Sequence, residues 1–260
     1  MAKPTIYQVE ARNFSDDHEN RIHSDEVAQR YGFKGALVPG VAVFGHLTHP
    51  LVEQFGEQWL SHSTSSVRFH KPAYHGDRLT ITCSEDAAGF QVRCLNAASE
   101  LLAELHSSMP EQLPDPEAAE IFSGTPKGPE RIPISWEAVE PAQAFTAWHW
   151  QITEERNRAA AAELSDDLGI YRTRAHPHLL LSEVNRALTR EYVMPAWLHV
   201  GSEIRLRSLL KVPDVVRSQT VVLEKWRKKG HEFARTYTVY HRDGILVTDV
   251  YHTFIFSVAQ

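Results

Sequence analysis

Residues 20–77 of this 260-residue chain recur, without a gap, at residues 157–214. Asn20 falls on Asn157, Gly32 on Gly169, His62 on His199, Ser65 on Ser202, Arg68 on Arg205 and Asp77 on Asp214. The offset is 137 residues in every pair. Apolar positions follow it too: Val27 with Leu164, Phe33 with Ile170, Phe44 with Leu181 and Leu51 with Leu188. Self-similarity at a fixed period constrains a fold more tightly than composition, because each copy must be one supersecondary unit that packs against its twin. The chain is therefore expected to be one unit used twice.

The spacing predicts a first unit over residues 1–108, a linker over 109–144 and a second unit over 145–260. The linker holds seven of the fourteen prolines: Pro110, Pro114, Pro116, Pro126, Pro129, Pro133 and Pro141. Proline fixes its own φ and drives the preceding residue to extended conformations, so a semi-rigid surface segment is expected, one that also covers an edge. Residues 24–31 and 162–168 read as short helices, the first capped by Ser24 or Asp25. A longer helix follows in each copy, GVAVFGHLTHPLVEQF and HLLLSEVNRALTREYV. Leu180, Leu181, Val184 and Leu188 share one face of the second, whereas Pro50 predicts a bend or early end in the first. Strand signals come next: SSVRFHK, DRLTITCS, FQVRCLNA and SELLAELHSS, then GSEIRLRS, RSQTVVLEKW, HEFARTYTVYH and ILVTDVYHTFIF. Lys229-Gly230 and Asp243-Gly244 read as hairpin turns. Each copy is thus a helix followed by an antiparallel meander, and two such sheets joined edge to edge would bury an otherwise exposed strand.

Composition excludes several functions. The formal net charge of −6 argues against nucleic acid as the main partner, since phosphate binding needs surplus Lys and Arg. Cys83 and Cys94 lie in strand-like stretches without metal-type spacing, so buried thiols of a reducing compartment are expected. The N-terminal residues contain no apolar signal region, and no stretch is long enough to span a bilayer, which predicts a cytoplasmic protein without a membrane partner. Histidine pairs such as His46 with His49, His70 with His75 and His176 with His178 lack a carboxylate or thiolate at ligand spacing. Neither a nucleophile elbow, a phosphate loop nor a dinucleotide fingerprint is present, so no cofactor is expected.

Two passages of the first copy carry a family likeness. HENRIHSDEVAQRYGFKGALVPGVAVFGHL and VRFHKPAYHGDRLTI resemble the MaoC-like dehydratases and (R)-specific enoyl-CoA hydratases, over roughly residues 10–108. The likeness implies an α+β fold, a double hotdog, in which curved antiparallel sheet wraps a central helix in each half. It also implies an acyl-CoA or acyl-carrier-protein thioester as substrate. Such folds often associate, so a homodimer is a further expectation.

The family motif Asp-x-Asn-x-x-His lies on this sequence with Asn20 and His23 in place and His18 at its first position; Asp17 is the nearest carboxylate. In the family an Asp and a His share acid and base work around one water, which the Asn helps hold. An imidazole suits the task because both protonation states are accessible near neutral pH. Either Asp17 or His18 would supply the second group. Gly40 and Val41 open the central helix, where unpaired N–H groups would receive the thioester carbonyl. The family has His-Gly here, and this chain has Pro39-Gly40. In the second copy Ala160 replaces His23 and Pro177 replaces Gly40, so that half is expected to be catalytically silent and to shape a groove for the acyl chain or pantetheine arm. The resemblance thus implies a hydro-lyase that hydrates 2-enoyl thioesters or dehydrates 3-hydroxyacyl thioesters. An acyl-CoA thioesterase and a non-catalytic acyl-binding module are the alternatives.

Overall fold

A computed structural model describes residues 5–15, 19–126, 128 and 130–259. The first half contributes strands β1 (Thr5–Glu10), β2 (Ser63–Phe69), β3 (Arg78–Asp86), β4 (Gly89–Leu95) and β5 (Leu101–Ser108). It also holds helices α1 (Asp25–Arg30), α2 (Gly40–Phe55) and α3 (Glu57–Ser61). After the linker strand β6 (Ile132–Pro133), the second half supplies β7 (Trp148–Gln151), β8 (Tyr192–Val193), β9 (Leu198–Leu206), β10 (Val215–Lys228), β11 (His231–Arg242) and β12 (Ile245–Ser257). Its helices are α4 (Glu154–Glu163) and α5 (Pro177–Glu191).

Ten strands form one antiparallel sheet in the order β1-β3-β4-β5-β2-β9-β12-β11-β10-β7, which reads the same in both directions once copies are exchanged. The halves meet at β2 and β9. There Thr64 pairs with Arg205, Ser66 with Glu203 and Arg68 with Gly201. Under the 137-residue offset Glu203 is the counterpart of Ser66, so a pseudo-twofold axis passes through that pair. Between the helices the same axis is marked by Val41 and its counterpart His178, whose Nδ1 lies 3.0 Å from the Val41 carbonyl. The two units therefore face each other about an axis that relates repeat-equivalent residues.

The core follows from strand alternation. Leu79, Ile81 and Cys83 on β3 and Phe90, Val92 and Cys94 on β4 are buried in one cluster with α2, which is apolar nearly all round. Both cysteines are free and buried. Gly45 lets α2 and α5 approach: a Cβ there would run into the Leu164 Cδ1 methyl and lie 3.1 Å from His178 Cβ. Gly45→Val should therefore cost about 1–3 kcal/mol of stability by overpacking, despite valine's better helix propensity. An unchanged or raised urea midpoint would contradict this close-approach role.

Several local expectations need correction. α2 runs through Pro50 to Phe55, because buried Leu47, Leu51 and Val52 flank the lost hydrogen bond. In the second half the helix covers Glu154–Glu163, not 162–168; Thr153 caps it through Arg156 N–H, and Ser165, at φ 52°, ends the turn. Ser24 does not cap α1, since its hydroxyl donates to the Arg21 carbonyl, while Asp25 accepts the Ala36 N–H. The edge strands β1 and β7, and α3, were not anticipated. Both hairpins hold: Lys229, Gly230, Asp243 and Gly244 all have positive φ, as type I′ turns require.

The linker lies on the second half. Ile121 and Phe122 pack on the outer sheet face against Val221, Tyr237 and Tyr251. Beyond β7, residues 142–145 hydrogen-bond to Thr220 and Val222 and so cover the remaining edge of β10. Among the described residues no helix is long and apolar enough to cross a membrane.

Candidate active site

A 3-10 turn, Arg21–His23, carries the motif and is clamped to the other half. Arg21 N–H donates to the Pro195 carbonyl at 2.8 Å. The Asn20 amide reads the Trp197 backbone on both sides: Nδ2 donates to its carbonyl and Oδ1 accepts its N–H, each at 3.1 Å. Neighbouring Glu19 accepts from the Arg131 guanidinium and from Met194 N–H at 3.0 Å, which commits it to structure. The counterpart Asn157 turns inward within its own half, donating to the Tyr171 and Arg174 carbonyls and accepting His176 N–H.

These anchors fix His23. Its Nδ1 lies 2.7 Å from the Leu37 carbonyl, and a carbonyl only accepts, so Nδ1 carries the proton of the neutral ring. Nε2 then presents its lone pair and receives the second Asn20 amide hydrogen at 3.3 Å. That contact is long enough to yield to a bound water or substrate. Asn20 thereby uses both of its N–H groups and acts as an anchor for the base. Asp17 and His18 lie outside the described residues.

Two cavities meet at this point. A cleft of 680 Å³ opens between the start of α2, α4 and one side of α5, and a largely apolar pocket of 200 Å³ lies between α2 and β9. His23, Asn20, Pro39 and Trp197 line both. Gly40 and Val41 begin α2, and no side chain among the described residues caps it. Free N–H groups and the positive end of the helix dipole therefore face the junction. A Cβ at Gly40 would press on the buried His199 ring, with Nδ1 at 3.0 Å, so glycine eases this approach. His199 continues through Ser202 Oγ (2.9 Å) to His252 Nδ1 (3.0 Å), and burial holds both imidazoles neutral.

The second half keeps polar groups of its own. His178 N–H donates to His176 Nδ1 at 3.1 Å, so the neutral His176 ring carries its proton on Nε2, 3.3 Å from Asp166 Oδ2. His49 Nδ1 stands 3.1 Å from the other Asp166 oxygen. Burial opposes ionisation of Asp166, but the hydrogen bond from His176 and the His49 imidazole beside it outweigh that cost and hold the carboxyl well below its usual range. His178 Nε2 faces Glu163 Oε2 at 3.2 Å, and both residues line the large cleft. The described residues contain no group of three or more ligands able to hold a metal. His199, His178, Glu163 and Trp197 were absent from the sequence-derived site. The repeat had paired His199 with His62, and spacing had singled out His178, but neither signal says what the ring faces.

No protein-family model matches the chain, and no curated protein matches its sequence. Solved structures do match. One from Chloroflexus aurantiacus J-10-fl, described as a MaoC domain protein dehydratase, aligns with a TM-score of 0.58 at 14% identity, over 100% of this chain and 94% of that one. A conserved hypothetical protein of Mycobacterium tuberculosis with a double hotdog fold gives 0.60 at 13% identity, over 98% and 96%. A Lactobacillus plantarum protein described as an oleoyl thioesterase gives 0.54 at 12% identity, over 100% and 98%. With its palindromic sheet and paired central helices, the chain has the double hotdog fold that these proteins, a MaoC domain dehydratase among them, share.

Proposed function

We propose that the protein is a hydro-lyase on acyl thioesters, adding water to a 2-enoyl group or removing it from a 3-hydroxyacyl group carried by CoA or a carrier protein. The observation that carries this reading is the fixed tautomer of His23. Its Nε2 lone pair stands where two cavities meet, beside the uncapped start of α2. In hydration, Nε2 takes a proton from water while the water oxygen bonds to C3. The C2=C3 pair moves toward the thioester carbonyl, whose oxygen gains charge that the Gly40 and Val41 N–H groups stabilise. Such donors are each worth roughly 10²–10³ in rate. C2 then accepts a proton. The 200 Å³ pocket offers apolar walls for the acyl group, and the larger cleft has room for the carrier arm. The shared fold with a Chloroflexus chain described as a MaoC domain protein dehydratase is consistent with this reading.

Mixing the protein with short- and medium-chain enoyl-CoAs and following the conjugated-thioester absorbance tests the proposal. Loss of absorbance with formation of the 3-hydroxyacyl thioester is expected. Release of free thiol without hydroxyacyl product would replace this reading with a thioesterase, for which Glu163 in the cleft offers a carboxylate.

A further inference from the structure

The offset that aligns His23 with Ala160 makes the second half look inert, yet the same offset places His178 opposite Val41 on the pseudo-twofold axis. The cleft lined by His23 continues across that axis to Ala159, Ala160, Glu163 and His178. Replacement of a histidine by Ala160 thus opens room in the cleft, and the polar groups of the second half stand one helical turn away. We infer that His178 is a second catalytic residue, an acid that works with the base His23 across one composite cleft, and that Glu163 is its positioning partner. This rests on the hydro-lyase reading given above.

Geometry carries the assignment. The Val41 carbonyl can only accept, so His178 Nδ1 is a donor there at 3.0 Å. Its other nitrogen faces a carboxylate oxygen at 3.2 Å. With Nδ1 committed as a donor, the Nε2–Glu163 hydrogen bond holds one further proton between ring and carboxylate, and that proton is available to the cleft. His178 is nearly buried, with a side chain 9% exposed, which fixes its direction. Glu163, at 39%, reaches solvent and can return protons to the ring. Behind them His176 accepts the His178 N–H and is itself held by Asp166, so the start of α5 is rigid. The titratable groups near His178 are Glu163 from α4, His176 at the N-cap of α5 and His46 from α2, with Asp166 behind His176.

The step balances. Water oxygen bonds to C3 and its proton passes to His23 Nε2. The π pair localises on C2, which takes the proton from His178 Nε2, and that N–H pair returns to the ring. His178 ends neutral and His23 protonated. Solvent restores both, through the Glu163 carboxylate on the second side.

Two conservative variants test the inference in the full chain. His178→Asn keeps a donor at the Nδ1 position for the Val41 carbonyl and deletes Nε2. Glu163→Gln removes the charge at a partly exposed site and tests the same pair should the first variant fail to fold. With enoyl-CoA as substrate, His178→Asn is expected to lower kcat about 10²-fold or more with KM little changed. It should also slow exchange of the C2 hydrogen of 3-hydroxyacyl-CoA in D2O by a similar factor. Glu163→Gln is expected to lower kcat less and to change the pH profile of kcat, because the carboxylate that shares the proton with Nε2 is gone. Hydration, C2 exchange and pH profiles all equal to wild type in both variants would overturn the inference alone. A wild-type protein inert toward every enoyl- and 3-hydroxyacyl-CoA would overturn the hydro-lyase reading and the inference with it.

Discussion

Alanine at His23 is expected to reduce enoyl-thioester hydration about 10²–10⁴-fold, the usual scale for removing a positioned acid–base group. The loss should fall on kcat and kcat/KM alike, because Nε2 acts on the water and the cavity walls that bind the thioester remain. Stability should change by only about 1 kcal/mol, since the variant gives up the half-buried bond to the Leu37 carbonyl and little apolar contact. Asn20→Ala should behave differently. That residue ties the turn to Trp197 across the halves, so its loss should lower melting temperature as well as rate. Steady-state kinetics and thermal unfolding on both variants separate the two roles. Full activity in His23→Ala would remove the base from the mechanism, and an unchanged melting temperature in Asn20→Ala would remove the anchor.

The same comparison explains which features could be read from the sequence. The repeat made α2 the counterpart of α5 and β2 the counterpart of β9, because apolar period and turn punctuation are encoded locally. Type I′ turns at Lys229-Gly230 and Asp243-Gly244 were legible for the same reason. The edge strands were not. TIYQVE and WHWQ are short, and their partners, β3 and β10, lie far along the chain. At the site, His23, Asn20 and Gly40 were legible through a motif. Their cross-half partners, Trp197 for Asn20 and His199 for Gly40, depend on docking of one copy against the other. Periodicity says which face of an element is buried and nothing about which residue of the twin lies opposite. His178 shows the limit well: the offset assigned it a place on the axis, and only the fold turned its ring toward Glu163.

Mild acid should destabilise this protein well before its carboxylates titrate. His46 and His252 are buried deeply enough that desolvation pushes each imidazole down to about 3. For His46 the neighbouring His178 adds to the effect, while Asp166 opposes it. His176 and His199 are lowered by burial as well. In the unfolded chain a histidine binds its proton near pH 6.5. Between that value and the depressed folded one the unfolded state holds more protons, so stability rises with pH and falls as pH drops. Each fully shifted histidine contributes roughly 1.4 kcal/mol per pH unit in that window, so His46 and His252 together remove roughly 3 kcal/mol between pH 7.5 and 5.5. That is a large share of the roughly 5–15 kcal/mol typical of a folded domain. Asp166 acts elsewhere: its folded value is depressed, so its contribution is complete above the unfolded carboxyl value near 4 and is lost only below it. Urea midpoints at pH 7.5, 6.5 and 5.5 should therefore fall in sequence. His252→Asn should flatten the slope by nearly one proton, because Asn keeps a partner for the Ser202 hydroxyl and cannot titrate. Midpoints independent of pH over this range would mean that these rings bind protons in the folded state, and would overturn the prediction.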